Sequence, residues 1–460
     1  MSTTEGFFGR ANVALALLVL INLFNYIDRQ VLAAVESQIE ETMFQEADYP
    51  RDPETRQRVD TTITSKMGSL VMAFMISYML FSPIFGLLAD RFSRWMLVGV
   101  GVIVWSLASG ASGLADSFTM LFLTRCLVGV GEAAYGPVAP TVISDLFPVQ
   151  RRGLVMALFY MAIPVGSALG YVLGGQVSHF MNDWRWAFYV VVPPGLLLGA
   201  WCFLMRDPPR GASDPGAIMR QAKWADYMVM LRTRSYLFVT LGMTAMTFAL
   251  GGIGFFMPRF ARARIIGTSV VSAEESAKIL ADVNTTFGII VVVSGLGATI
   301  LGGIVGDKLK PKIPGAYFIV SAIAMATAFP LLLCAIWAPY PLAWLFIFLS
   351  CFCLFFNTGP TNTILANVTH PSIRASAFAL NILIIHAFGD AVSPTIIGLI
   401  NGYFGDPTMT AGFVAVSVMC LVASVFWFFG AKHLQSDTEL APMRIAGEDG
   451  TETIKPQAPP

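Results

Sequence analysis

The sequence predicts an all-α membrane protein with twelve transmembrane helices in two similar six-helix bundles. Three observations carry this expectation. Hydrophobic residues make up 55% of the 460-residue chain and charged residues 13%, against about 25% charged in soluble domains, and the mean hydropathy is +0.67. Twelve apolar runs have the ~20 residues that an α-helix needs to cross the hydrocarbon core. A short polar loop sequence also occurs twice, 217 residues apart.

The first six runs lie near residues 11–35, 66–90, 95–114, 118–146, 153–178 and 185–206; the second six lie near 236–260, 280–306, 313–337, 341–367, 375–402 and 410–432. The expected organisation is therefore an N-terminal bundle over 1–206, a cytoplasmic linker over 207–235, a C-terminal bundle over 236–432 and a polar tail over 433–460 without fixed structure. Lys and Arg gather on alternate sides of the runs: with the N-terminus inside, 18 of the 29 fall on the inner side. The positive-inside rule then places both termini in the cytoplasm. The outward loop 36–65 is long and acidic, with eight carboxylates from Glu36 to Asp60.

The net charge of zero gives no footing for nucleic acid. The six cysteines all fall inside apolar runs and read as small packing residues. The four histidines show no metal-ligand spacing and no nucleophile partner, so neither an enzyme nor a cofactor is expected. Trp184, Trp186 and Tyr189 read as an interfacial belt. Gly166, Gly170, Gly174 and Gly175 read as surfaces for close helix contact.

The repeated loop is Gly86-Leu-Leu-Ala-Asp90-Arg91-Phe-Ser-Arg94 after run 2 and Gly303-Ile-Val-Gly-Asp307-Lys308-Leu-Lys310 after run 8. Arg152 before run 5 and Arg374 before run 11 form a second matched pair, 222 residues apart. Parallel six-helix repeats are a transporter architecture. The loop resembles the signature of the major facilitator superfamily. That resemblance implies gating roles for Gly86, Asp90, Arg91, Arg94, Arg152, Asp307, Lys308 and Arg374.

Ionisable side chains within a membrane span are costly and mark function by default. Run 1 carries Asn25-Tyr26-Ile27-Asp28-Arg29, and run 4 carries Arg125 and Glu132 seven residues apart, on one helix face. Glycines 129 and 131 keep the intervening surface thin, leaving room for a partner helix or a ligand. Asp28 and Arg29, as neighbours, must meet different partners. Two arginines and two carboxylates in one polar cluster fit an anion held by Arg29 and Arg125 and a proton carried by Asp28 or Glu132. A static buried salt-bridge set is the competing reading. The second half is less charged. Asn25, Asn357 and Asn362 are candidate polar contacts to a substrate. His386 and Asp390, four residues apart on run 11, are a secondary candidate with a structural or gating role. A cavity charged on one wall and largely apolar on the other suits an amphiphile with an anionic head.

The chain resembles the spinster family of major facilitator transporters over nearly its whole membrane portion. The resemblance rests on Asn25-Tyr26-x-Asp28-Arg29, the Gly86–Arg94 loop, Arg125-x-Leu-Val-Gly-Val-Gly-Glu132-Ala, Ala139-Pro140-Thr141 with Asp145-Leu-Phe147, Ala162-Ile-Pro164-Val-Gly-Ser167 and Leu169-Gly-Tyr171. In the second half it rests on His386-x-x-Gly389-Asp390-Ala-x-Ser393-Pro394 with Gly398. It implies a proton-coupled transporter of a sphingolipid or lysophospholipid, similar to sphingosine-1-phosphate, with Arg29, Arg125 and Glu132 at the binding and coupling site. Asp28-Arg29 with Arg125 and Glu132 also looks like proton-coupled symporters of small organic anions such as sugar acids, which is the alternative. The partners expected are the anionic substrate, protons and the bilayer, and the expected state is a monomer. A bacterial member of the family is expected, which would place it in the inner membrane. Two departures from the family pattern are the long loop 36–65 and Lys308 where the first copy has arginine.

Overall fold

In a bilayer every backbone polar group needs an internal partner, so spanning segments become helices. The computed structural model describes residues 11–44, 53–214, 224–267, 269, 272–404 and 409–445, and among them there is no strand. Ten helices are long and apolar enough to cross a membrane. In chain order with two shorter ones they are α1 (Ala11–Ala34), α2 (Lys66–Arg91), α3 (Arg94–Gly113), α4 (Phe118–Ala133), α5 (Arg152–Met181) and α6 (Val192–Cys202). The remainder are α7 (Arg234–Ile266), α8 (Asp282–Leu309), α9 (Ala316–Trp337), α10 (Leu342–Val368), α11 (Pro371–Asn401) and α12 (Thr410–Ala431).

The two short helices lie within runs 4 and 6; a bend or end at Pro193 and Pro194 is what their sequence leads one to expect. α4 ends at a turn that carries Gly136 and Pro137, and a new helix follows over Ala139–Leu146. α6 starts at Pro193 and Pro194, after a separate short helix over Arg185–Tyr189. Proline lacks the N–H that an unbroken helix would use, so both interruptions follow from the sequence.

Packing repeats between the two sets of helices. α1 lies along α5, α2 along α4, and α3 along α4 and α6; α7 lies along α11, α8 along α10, and α9 along α10 and α12. Small residues set the α1–α5 distance: a Cβ on Gly170 would sit 2.5 Å from the Ile27 carbonyl oxygen. The sets meet each other chiefly through α2 against α11 and α5 against α8. Near its middle α11 widens into a π-helical turn over His386–Asp390, a local irregularity that often marks a functional position.

The segment after Lys432 departs from the expectation of a tail without structure. Residues Leu434–Leu440 are helical, and Leu434, Ala441 and Ile445 are buried. Their spacing of seven and four residues places them on one helical face, a pattern that the polar composition conceals. Asp437 accepts a hydrogen bond from the Ser235 amide at 2.8 Å and pairs with Arg444. Residues 446–460 of that tail, 215–223 of the linker and 45–52 of the acidic loop lie outside the described residues. Trp184 is also buried, against Phe188, so of the aromatic trio it is Trp186 that is exposed.

Candidate functional site

Between the two sets of helices lies a cavity of about 390 Å³, in the range of small-molecule pockets. Asn22, Asn25, Tyr26 and Arg29 of α1 line one wall, with Glu132 of α4 and Tyr160 of α5. Thr247 of α7, Asn362 of α10, and His386 and Asp390 of α11 line the other.

Among the described residues Arg29 is the only arginine in that lining, and its setting is specific. Its Nε donates to Glu132 Oε2 at 2.7 Å, and Nη2 lies 2.6 Å from the same oxygen. The guanidinium sits 4.9 Å from the ring centres of Tyr26 and Phe74 and 5.2 Å from that of Tyr78, within cation–π reach of all three. Glu132 is 1% exposed and Arg29 18%, so the arginine is the member of the pair that presents itself to the cavity.

Asp28 and Arg125 lie behind this wall. Successive helix residues diverge by about 100°, and Asp28 turns into the first set of helices, where Ser109 donates to its Oδ1. Arg125 donates to Ser112 at 2.7 Å and stacks over Phe188, 5.3 Å from its centre. The expected cluster is thus divided in two, Arg29–Glu132 at the cavity and Asp28 with Arg125 in the packed interior. Gly129 and Gly131 serve partner helices: a Cβ at Gly129 would sit 2.4 Å from the Phe74 carbonyl, and one at Gly131 2.6 Å from the Trp105 amide.

On the opposite wall, His386 Nδ1 lies 3.0 Å from both Asp390 carboxylate oxygens, and its ring meets Tyr78 edge-on at 5.9 Å. Asn362 accepts from the Tyr160 hydroxyl at 2.9 Å, a bond between the two sets of helices. Asn357 lies outside the cavity and donates to Leu354 at 2.7 Å. Thr361 donates to Asn357 at 2.8 Å and Asn362 to Thr358 at 2.9 Å, so these donors are spent on their own helix.

At the end where the linker lies, the repeated loops close the two sets against each other. Asp90 accepts from the amides of Ala375 at 3.0 Å and Ser376 at 3.2 Å. Asp307 accepts from those of Gly153 at 3.1 Å and Leu154 at 2.8 Å. Each aspartate thereby satisfies the unpaired N–H groups that begin a helix in the other set, where the helix dipole favours negative charge. The glycines allow the approach: a Cβ on Gly86 would meet Ala379 Cβ at 2.6 Å, and one on Gly303 the Gly153 carbonyl at 2.6 Å.

The basic members of the loops divide differently. Arg91 and Lys308 are exposed. Arg94 is buried and bonds to Asp145 and Asp207. Lys310 reaches the Val149 carbonyl at 3.3 Å, and burial followed by Arg152 pushes its ammonium down to about 8, with Asp307 partly opposing. Arg152 donates to Asn367 at 2.8 Å, and Arg374 to Asp145 at 3.0 Å. Both arginines also hold Asp214 of the linker, at 2.9 and 2.8 Å. Although burial raises the Asp214 carboxyl, Arg374 and then Arg152 hold it below the usual carboxylate range. Asp214, Asn367, Tyr160, Tyr78 and Lys310 carry none of the sequence-based site assignments. Asp214 has no sequence signal beyond being one carboxylate in a Pro-rich linker.

The sequence pattern of the Major Facilitator Superfamily matches residues 18–394. Protein spinster homolog 3 of Danio rerio is 34% identical over 458 residues, covering 95% of this chain and 88% of that protein. The sphingosine-1-phosphate transporter SPNS2 of Danio rerio is 33% identical over 400 residues, covering 85% and 76%. A crystal structure of a bacterial homologue of the human lysosomal transporter spinster, inward-facing and unoccupied, superposes with a TM-score of 0.56 at 21% identity. It covers 95% of this chain and 99% of the other, a likeness of fold.

Proposed function

Because the chain belongs to the spinster family of the major facilitator superfamily, we propose that it moves an amphiphilic anionic lipid, a sphingolipid or lysophospholipid, across the membrane by alternating access coupled to protons. The observation that carries this reading is Arg29, a guanidinium held in an aromatic setting at the edge of a cavity between the two sets of helices. Its planar fork suits a phosphate or carboxylate head. Glu132 competes for the same donors. An arriving anion releases Glu132 from Arg29, and a proton then neutralises the freed carboxylate. Proton and anion are linked through one arginine without touching each other. The opposite wall favours a lipid over a small sugar acid, because the side-chain donors of Thr361 and Asn362 are committed to their own backbone. Asp28 and Arg125 support the wall from behind.

With the linker end taken as cytoplasmic from the charge distribution, the closed loops correspond to a carrier shut on its cytoplasmic side. The halves over 1–206 and 236–432 rock about the cavity as a monomer, in the inner membrane for a bacterial chain.

The test is pH-gradient-driven uptake in proteoliposomes, offering sphingosine-1-phosphate or a lysophospholipid beside a sugar acid. Wild type is expected to move the lipid. Arg29→Ala is expected to abolish transport, and Glu132→Gln to retain binding while losing the dependence on the pH gradient. Accumulation of the sugar acid with the lipid left behind would overturn the lipid assignment.

A further inference from the structure

Residues 207–214 form a strap across the closed end. Pro208 and Pro209 fix their own φ, and two turns follow, with the Ala212 amide on the Pro209 carbonyl at 3.1 Å and the Asp214 amide on the Gly211 carbonyl at 2.9 Å. Gly211 takes φ +72°, a conformation that glycine adopts without strain. Along its length the strap is fastened to the first set of helices. Asp207 holds the Arg94 amide and Nε, both at 2.9 Å. Arg210 donates to the carbonyls of Ala89 at 2.8 Å and Phe92 at 2.7 Å. The Gly211 amide donates to Asp145 at 3.0 Å, and the Ser213 hydroxyl to the Asp145 carbonyl at 2.7 Å.

Asp214 differs from the rest of the strap. One oxygen accepts from Arg152 of α5 at 2.9 Å and the other from Arg374 of α11 at 2.8 Å. The two arginines occupy matching places in the repeat and are 0% and 2% exposed. Asp145 supplies a carboxylate to Arg374. Asp145 is shared with Arg94, which Asp207 also pairs, so the three arginines and three aspartates sum to zero. Without Asp214, buried Arg152 loses its carboxylate contact and Arg374 keeps only the carboxylate that it shares with Arg94. Like charges at such a junction repel, and hydrogen bonds to charged groups are among the stronger ones.

We propose that Asp214, supplied by the linker rather than by either half, is a gate residue: its shared carboxylate holds the linker end shut, and that end opens by parting Asp214 from Arg374. The first half keeps the strap, because every other fastening lies there. Asp214 is thus a positioning residue for the cycle, touching no substrate. The inference rests on the alternating-access reading.

Hydrogen–deuterium exchange of the full-length protein in nanodiscs reads the gate directly, at the amides of residues 153, 154, 375 and 376 that Asp307 and Asp90 hold. Asp214→Asn and Asp214→Ala are expected to speed their exchange on the order of tenfold, with Asp214→Glu close to wild type. The double variant Asp90→Ala/Asp307→Ala, which removes the accepting oxygens themselves, serves as the reference. If it speeds exchange while the Asp214 variants do not, the strap proposal is overturned and the transport reading stands. If even the reference leaves exchange unchanged, that end does not open and alternating access itself fails. Faster exchange spread over α9 and α12 as well as the gate would mean general loosening, which also overturns the proposal.

Discussion

At the scale of single residues, Arg29 and Arg125 have separate duties. Arg29 meets the cavity; Arg125 is 2% exposed and bonds to Ser112 in a packed interior. Removing a buried charge strands its partners at low dielectric, at a cost of about 3 kcal/mol or more. Arg125→Ala is therefore expected to lower the thermal unfolding midpoint in detergent, with Asp28→Asn/Arg125→Met recovering much of the loss by removing both charges. A stability equal to wild type for Arg125→Ala would return Arg125 to the list of substrate contacts. The sequence displays all four ionisable groups, because charge within an apolar run is conspicuous. Helix phase alone does not say that Asp28 turns inward while Arg29 turns to the cavity; Ser109 and Tyr78, which settle the matter, lie on other helices. Asp214 is illegible for a related reason. Its partners are 62 and 160 residues away, and only the folded strap brings them together.

At the scale of helices, the apolar runs and the repeated loop were enough to read the superfamily fold, since spanning length and internal symmetry are written in composition and spacing. The break in α6 is legible in Pro193-Pro194, whereas that after α4 is less visible because Pro137 sits within an otherwise apolar run. The loop glycines matter through geometry. A methyl group on Gly86 would press on Ala379 at 2.6 Å, and overpacking of this kind costs about 1–3 kcal/mol. Gly86→Ala is thus expected to force α2 and α11 apart and to favour opening of the linker end. Spin labels at Met96 and Lys312, both exposed and on opposite sets, would show a longer distance; an unchanged distribution would mean that α11 absorbs the methyl group without moving.

At the scale of the whole molecule, closure of the linker end is expected to depend on proton occupancy through Lys310. In the closed arrangement its ammonium is pushed down to about 8 by burial and Arg152, against Asp307, with the Tyr317 ring 5.8 Å away. Once exposed by opening, a lysine returns to about 10.4. Between these values the closed form binds fewer protons, so raising the pH from about 8 toward 10 favours closure, and below about 8 that advantage is gone. The same label pair should report more of the short distance at alkaline pH, and Lys310→Met should remove the dependence. A dependence that survives in Lys310→Met would assign it to another group.

The pairing of charge within the spans also has an electrical consequence. Arg29 is matched by Glu132 in direct contact, and Asp28 and Arg125 balance within the same interior, so these four groups carry no net charge. A membrane potential acts on a moving charge with about 2.3 kcal/mol per 100 mV and has no purchase on a neutral set. On the proposed cycle these four groups therefore add no voltage dependence to the return of the empty carrier, and any such dependence is expected to come from cargo, proton or the His386–Asp390 pair.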